Sequence, residues 1–306
     1  MKGYKAFYKN MICKGDGYEK QYEENTTYEE NGNEVCKSGV MHFCENPFDV
    51  LNYYPLVDGK CNVAEFAEVE ALGDTFKKSG ADDKTATNKL HIGAKLNLKG
   101  FIKACIDFSL EKTKVENKSS GYGAQLASSG NCAQLASSGD CAQLASSGNC
   151  AQLASSGNGA KLASSGDCAK LASSGNWAKL ASSGDGAKLA SSGDCAQLAS
   201  SGNWAQLASS GDCAQLASSG DWAQLASSGN GAKLASSGKD SVVCAAGVDS
   251  IAKAMIGSWI TLSEWKYDRD KDRYVPVCVK TEQVDGERIK EDTFYKLENG
   301  EFVEVK

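Results

Sequence analysis

A leucine recurs at every ninth position from Leu126 to Leu234 and never drifts out of register. It sits in one unit, Ala-(Gln/Lys)-Leu-Ala-Ser-Ser-Gly-(Asn/Asp)-X, written thirteen times between Ala124 and about Gly238. Ala, Leu, Gln and Lys favour helix, but only about five such residues precede each Ser-Ser-Gly-(Asn/Asp), and an isolated helix needs roughly 12–15. Gly followed by Asn or Asp is turn chemistry, tolerant of positive φ. The pattern predicts a short strand and a tight turn, repeated. In the stretch Cys132 to Ala136, strand alternation puts Ala133 and Leu135 on one face and Cys132, Gln134 and Ala136 on the other. Gln and Lys belong in water, so the Ala/Leu face is expected inward.

One nonapeptide cannot bury its own leucine. Stacked parallel rungs can, and self-similarity at a fixed period is the mark of such an architecture. The expected fold is therefore mainly β, a parallel β-solenoid of 13 nonapeptides over residues 122–238. Two nonapeptides per coil would give about six coils and a rod on the order of 30 Å long; three per coil stays open at this stage. A disordered Ser/Gly tract is the bland alternative, and the unbroken leucine register argues against it.

The X position varies. It reads Gly at 123, 159, 186 and 231, and otherwise Cys132, Cys141, Cys150, Cys168, Trp177, Cys195, Trp204, Cys213 and Trp222. By parity X shares the outward side with Gln/Lys. Large exposed apolar patches mark interaction surfaces, so these nine residues are the candidate binding column. A loop or terminal domain covering them, or a bulge turning X inward, is the structural alternative. With two repeats per coil, Trp204 and Trp222 stack on one side above Cys132, Cys150 and Cys168, while Trp177, Cys195 and Cys213 lie on the other.

The flanks read differently. Residues 1–111 predict a small α+β head: strands at Tyr4–Lys9, Val40–Cys44, Ala64–Leu72 and Leu90–Leu98, an acidic hairpin over Gln21–Glu34, a helix starting at Asn46-Pro47 and another over Gly100–Leu110. Residues 112–121 form a polar linker. Residues 239–306 predict a β-rich cap. In it Val242–Ala246 and Trp259–Leu262 extend the solenoid as irregular last rungs, Glu298-Asn299-Gly300 turns a hairpin, and Trp259, Trp265 and Tyr295 plug the core.

Net charge is −6, divided −2, −1 and −3 among the segment before the repeats, the repeats, and the segment after. Neither a basic nucleic-acid groove nor a strongly acidic rod fits that spread. Thirteen cysteines is a high count, but it follows the repeat rather than the crosslinking needs of a small secreted core. No apolar run suits a signal peptide or a membrane span, so a cytoplasmic protein with reduced thiols is expected. Cysteines on neighbouring rungs would lie within disulfide reach.

In the head, Cys13, Cys36, His42, Cys44 and Cys61 contain no CxxC pair and match no zinc spacing, and are expected to be core. His42 with Glu65, Glu68 or Glu70 would make an acid–base set, but those carboxylates alternate with apolar residues as on a solvated strand face. No phosphate-binding loop, nucleophile elbow, zinc-protease helix or dinucleotide fingerprint is present. No catalytic residue, metal or cofactor is expected.

The run Cys36-Lys37-Ser38-Gly39-Val40-Met41-His42-Phe43-Cys44-Glu45-Asn46-Pro47-Phe48-Asp49-Val50-Leu51, with Tyr53-Tyr54 and Phe66-Ala67-Glu68-Val69-Glu70-Ala71-Leu72-Gly73, looks familiar. So does the tail: Val277-Cys278-Val279-Lys280, Val284-Asp285-Gly286-Glu287 and Tyr295-Lys296-Leu297. Together they resemble uncharacterised proteins of bacteriophages and prophages of Gram-positive gut bacteria, which combine such a head, a variable repeat rod and a tail. The resemblance implies a phage protein in a bacterial host cytoplasm and carries no assigned activity. The rod is also similar to pentapeptide-repeat β-helices in its Ala-x-Leu core step, although its period is nine. The expected function is a non-enzymatic binding or assembly rod that engages a protein partner, such as a host-defence component, or itself as a homo-oligomer. Neither nucleic acid nor membrane is expected as a partner. An ADP-ribosyltransferase-like enzyme in the head is one alternative, and an ice-binding or surface-adsorbing rod another.

Overall fold

In the computed structural model, which describes residues 1–15, 18–32, 39–77, 83–113 and 121–305, each nonapeptide contributes one strand, (Gln/Lys)-Leu-Ala-Ser. Successive strands alternate between two parallel sheets. Two nonapeptides therefore close one coil, with Gln143 in register with Lys161 and Leu144 with Leu162. About 8 coils stack between residues 125 and 262. Val242–Ala245, Ile251–Lys253 and the start of Trp259–Asp268 continue the two sheets beyond the repeats as parallel rungs. The rod is longer than the repeat block alone predicts.

From the third rung on, each repeat buries its leucine, the alanine before the strand and the first serine of Ser-Ser; Leu144, Ala151 and Ser164 are all 0 % exposed, while Leu126 and Leu135 in the first two rungs are partly buried. The serine is a polar group in the core, two residues beyond the leucine and so on the same face of the strand. In the first three strands its Oγ accepts the N–H of the glycine two residues on, at 3.2–3.3 Å. That glycine is required by close approach: a Cβ on Gly175 would lie 2.0 Å from the Gly157 carbonyl oxygen of the coil below. Asn and Asp interchange because only Oδ1 is used. Each accepts the N–H of the equivalent residue one coil on, as Asn131 does from Asn149 at 3.0 Å and Asp140 from Asn158 at 2.7 Å, and at the end of the block Asp221 from Lys239 and Asn230 from Val248.

The X residues correct the expectation of strand parity. They lie outside the strands, in the turns, and all nine Cys and Trp adopt left-handed backbone with φ of 53–58°. Their outward direction comes from the corner itself.

The far end closes with antiparallel hairpins. Trp259–Asp268 returns as Arg273–Gln283 along one sheet, and Tyr295–Glu298 with Glu301–Glu304 extends the other. Asn299 and Gly300 make the expected turn at φ 52° and 74°. Tyr295 is 1 % exposed and seals the leucine column. Trp265 is half-buried, its indole N–H donating to the Ala246 carbonyl at 3.1 Å. Trp259 does not plug the core: it pairs with Val242 in the outward Gln/Lys column and is exposed.

The head is built from β1 (Lys2–Phe7), β2 (Ile12–Gly15), β3 (Tyr18–Gln21), β4 (Thr26–Glu29), β5 (Met41–Cys44), β6 (Glu65–Ala71), β7 (Thr75–Phe76), β8 (Lys84–Thr87), β9 (Lys89–Leu96) and α1 (Leu98–Thr113). Seven strands form an antiparallel sheet in the order β4-β9-β6-β1-β5-β8-β7, and β2 and β3 pair separately. The hairpin expected over Gln21–Glu34 is not what β4 makes: β4 pairs with β9, and residues 33–34 lie outside the described residues. Most of the expected linker, residues 114–120, lies outside them too.

One face of the head sheet buries Phe7, Met41, Phe43, Val69 and Ile92 together with Met11, Cys13 and Tyr22 of the β2–β3 hairpin and its flanks. The other carries α1, with Phe66 stacked on Phe101 at 3.7 Å, and the 3-10 turn Pro47–Asn52. Both of these elements also pack on the rod. The head lies along one solenoid sheet, the docked sheet, and the second sheet is open.

Candidate interaction surfaces

Two ladders of X residues run up the corners of the rod. Cys132, Cys150, Cys168, Trp204 and Trp222 occupy one; Cys141, Trp177, Cys195 and Cys213 the other. Trp177, Trp204 and Trp222 are 61 %, 57 % and 45 % exposed. Trp204 stacks on Trp222 with ring centroids 5.1 Å apart and planes 12° from parallel. All six ladder cysteines are free thiols; Cys132, Cys150, Cys168 and Cys213 are exposed and Cys141 and Cys195 half-buried. Below the glycine corners the thiol leans toward the next corner: a Cβ added at Gly159, Gly186 or Gly231 would meet the sulfur of Cys141, Cys168 or Cys213 at 3.5–3.6 Å. At these corners left-handed backbone costs a Cβ-bearing residue on the order of 1 kcal/mol relative to glycine. Glycine at 123, 159, 186 and 231, at φ of 63–70°, makes the same turn without that cost.

The docked sheet shows what the Gln/Lys column does when covered. Its outward alanines, Ala145, Ala163, Ala181, Ala199, Ala217 and Ala235, are buried beneath Phe48, Leu51, Leu56, Val57, Ile102 and Ile106. Segment 46–59 climbs the rod with a polar contact at nearly every rung. Gln143 accepts from the Asn46 amide and donates to Asp49, both at 3.2 Å. Lys161 donates to the Phe48 carbonyl at 3.0 Å and to Asn52 Oδ1 at 2.7 Å, with the Asp49 carboxylate 4.0 Å away. Lys179 donates to the Leu51 carbonyl. Gln197 accepts the Leu56 N–H at 2.8 Å, and Lys233 donates to the Gly59 carbonyl at 3.1 Å. The expectation that Gln/Lys faces water thus fails on this sheet. Each lysine here meets a head carbonyl, whereas glutamine adapts: Gln143 takes a donor and a carboxylate, Gln197 an N–H, and Gln215 donates to the Val57 and Asp58 carbonyls.

Burial has electrostatic consequences here. It pushes the Lys179 ammonium down to about 8, with the neighbouring Lys161 adding to the effect. Lys161 is lowered by burial against the pull of Asp49, and the Asp49 carboxyl is raised by burial against the pull of Lys161. The signal for this interface was present in the chain: Gln or Lys is the same in both repeats of each of the first six coils, changing as Gln, Gln, Lys, Lys, Gln, Gln.

Residues 1–104 match a family model. Its description is a domain of unknown function, DUF7666. The match covers the head, includes all of segment 46–59, and stops within α1. No curated protein and no solved structure matches the chain.

Within this DUF7666-matching head, the polar constellations expected from sequence are dispersed. Cys13 packs on one side of the sheet, Cys44 and Cys61 on the other, and Cys36 lies outside the described residues. Burial pushes the Cys44 and Cys61 thiols up to about 12. Among the described residues no group of three or more metal-type side chains gathers. His42 is in β5, and β1 lies between it and the carboxylates of β6, a separation of two strand spacings, about 10 Å. Glu65 accepts the Met11 N–H and pairs with Lys95, each at 2.8 Å. Glu70 is opposite His91 across the β6–β9 ladder, and His91 contacts Thr27 at 3.0 Å. No acid–base set assembles from these residues. Among the described residues no helix is long and apolar enough to cross a membrane.

Proposed function

We propose that this protein is a non-enzymatic binding rod that engages a protein partner, or a second copy of itself, through its corner ladders. The supporting observation is energetic. Nine corners hold Cys or Trp in left-handed backbone where four others use glycine, so these side chains cost the fold stability, and three of them are exposed indoles. Tryptophan, with tyrosine and arginine, is enriched among the residues that carry binding energy at protein interfaces. The resemblance to phage and prophage proteins makes a host protein, such as a defence component, the partner class to look for in a bacterial cytoplasm.

Size-exclusion chromatography with light scattering, on the reduced full-length protein and on a Trp177→Gly/Trp204→Gly/Trp222→Gly variant, tests the reading. Self-association, or capture of a specific host protein, should be lost in the variant while its circular dichroism stays unchanged. Association that survives the triple change would sink the proposal.

A further inference from the structure

The open sheet repeats the docked sheet's outward surface. The docked sheet presents Gln125, Gln143, Lys161, Lys179, Gln197 and Gln215 in ascending rungs; the open sheet presents Gln134, Gln152, Lys170, Lys188, Gln206 and Gln224. Both follow the order Gln, Gln, Lys, Lys, Gln, Gln. Beside this column the docked sheet buries an alanine ladder under the head, and the open sheet exposes the matching one, Ala136, Ala154, Ala172, Ala190, Ala208 and Ala226. With the serines that follow, the first five of these alanines line a long shallow groove.

We propose that the open sheet is a second docking face, for a segment of another protein with the chemistry of residues 46–59. The equivalent face already shows what such a segment must supply. Apolar side chains lie over the alanines, as Leu51 and Leu56 do. Main-chain carbonyls and a carboxylate meet the lysine pair, as Phe48, Leu51 and Asp49 do at Lys161 and Lys179. Main-chain N–H groups meet the fifth-rung glutamine, as Leu56 does at Gln197. The occupant runs along the rod axis, across the strands, over about 24 Å from the second rung to the seventh at 4.8 Å per rung. The two faces part at the seventh rung, where the docked sheet has Lys233 and the open sheet Val242, which is exposed. There the occupant ends in an apolar group rather than a carbonyl. The chain's own head cannot serve, because its docking segment is already engaged. This face is separate from the corner ladders, and the two proposals fail independently.

A labelled synthetic peptide of residues 46–59, titrated into the full-length protein and followed by fluorescence anisotropy, tests it. Saturable binding is expected, weakened at least about tenfold by Ala190→Arg, which sets an unpartnered charge on the open sheet alone. Lys170→Gln with Lys188→Gln should weaken it as well, and the triple Trp→Gly variant should bind normally. A second arm presents the same segment pre-folded. In a chain carrying Ala163→Arg and Ala199→Arg on the docked sheet, the displaced head should seat on the open sheet of another copy. Light scattering should then show oligomers, which adding Ala190→Arg returns to monomers. Failure of both arms overturns the proposal, as does peptide binding indifferent to Ala190→Arg. A wild-type oligomer that Ala190→Arg dissolves would overturn it too, by giving the face to a second copy of this chain.

Discussion

Gly175→Ala and Gly130→Ala make the same substitution in the same Ser-Ser-Gly-Asn context, and the structure predicts opposite outcomes. A Cβ at Gly175 would lie 2.0 Å from the Gly157 oxygen, 2.4 Å from its carbon and 2.8 Å from the Asn158 nitrogen. All three are main-chain atoms, which cannot swing aside, and ordinary carbon–oxygen contacts begin near 3.3 Å. The two coils must part by more than about 1 Å at that corner. Three bonds hold it: Ser174 N–H to the Ser155 carbonyl at 3.1 Å, Asn176 N–H to Asn158 Oδ1 at 2.9 Å, and Gly159 N–H to the Asn176 carbonyl at 2.8 Å. Lengthened by that amount, each leaves hydrogen-bond range. At about 1 kcal/mol apiece the loss is roughly 3 kcal/mol. Alanine's restriction of the unfolded chain returns about 0.4–1 kcal/mol, leaving a net cost of roughly 2–3 kcal/mol. Gly130 belongs to the first coil, and among the described residues no turn lies beneath it. Among them its Cβ would meet only the Ser128 Oγ, at 3.7 Å, so Gly130→Ala should be neutral or stabilise by the same 0.4–1 kcal/mol. Urea unfolding followed by circular dichroism reads both values. Equal effects at the two sites would refute the reasoning, because stacking would then not be what demands glycine.

Three further outcomes follow from the same geometry. Trp177→Gly relieves a left-handed backbone with no stacked ring to lose and should stabilise by about 1 kcal/mol; Trp222→Gly also forfeits its stack on Trp204, worth about 0.5–1.5 kcal/mol, and should be near neutral in the same unfolding assay. The lowered Lys179 value means that this side chain binds its proton more fully in the unfolded chain than in the folded one between about pH 8 and the ordinary lysine value of 10.5. Lys179 therefore adds stability as pH rises through that window, opposed above about pH 9 by Cys44 and Cys61, whose raised values keep their protons in the folded chain; hydrogen exchange at segment 46–59 should show a steeper rise, or a shallower fall, in wild type than in Lys179→Met. Mild oxidation should join Cys195 to Cys213, on successive rungs of one ladder and within disulfide reach of each other, and leave buried Cys105 free. Peptide mass mapping checks this, and a Cys195–Cys105 link would contradict the ladder.

The period of nine and the unbroken leucine register were enough to determine a stacked β-rod with Ala and Leu inside. These are local facts, because each coil meets the same neighbours and the same alternation decides every leucine. The irregular last rungs at Val242 and Trp259, and the Asn299-Gly300 hairpin, were legible for the same reason. Three matters needed the tertiary structure. Two repeats per coil rather than three depends on how the turns close, and a strand of four residues is compatible with either. That X is a left-handed corner was hidden because parity along Cys132–Ala136 gave the same outward direction for the wrong cause; the four glycines at X were the available signal. Which sheet the head covers was not legible, because both sheets carry the same Gln/Lys order and Gln143 and Asn46 are 97 residues apart in sequence. Whether an outward Gln or Lys meets water or a carbonyl depends on what another part of the chain lays over it. Identical rungs thus acquire different environments on the two sheets, buried on one and open on the other, and only the folded molecule shows which is which.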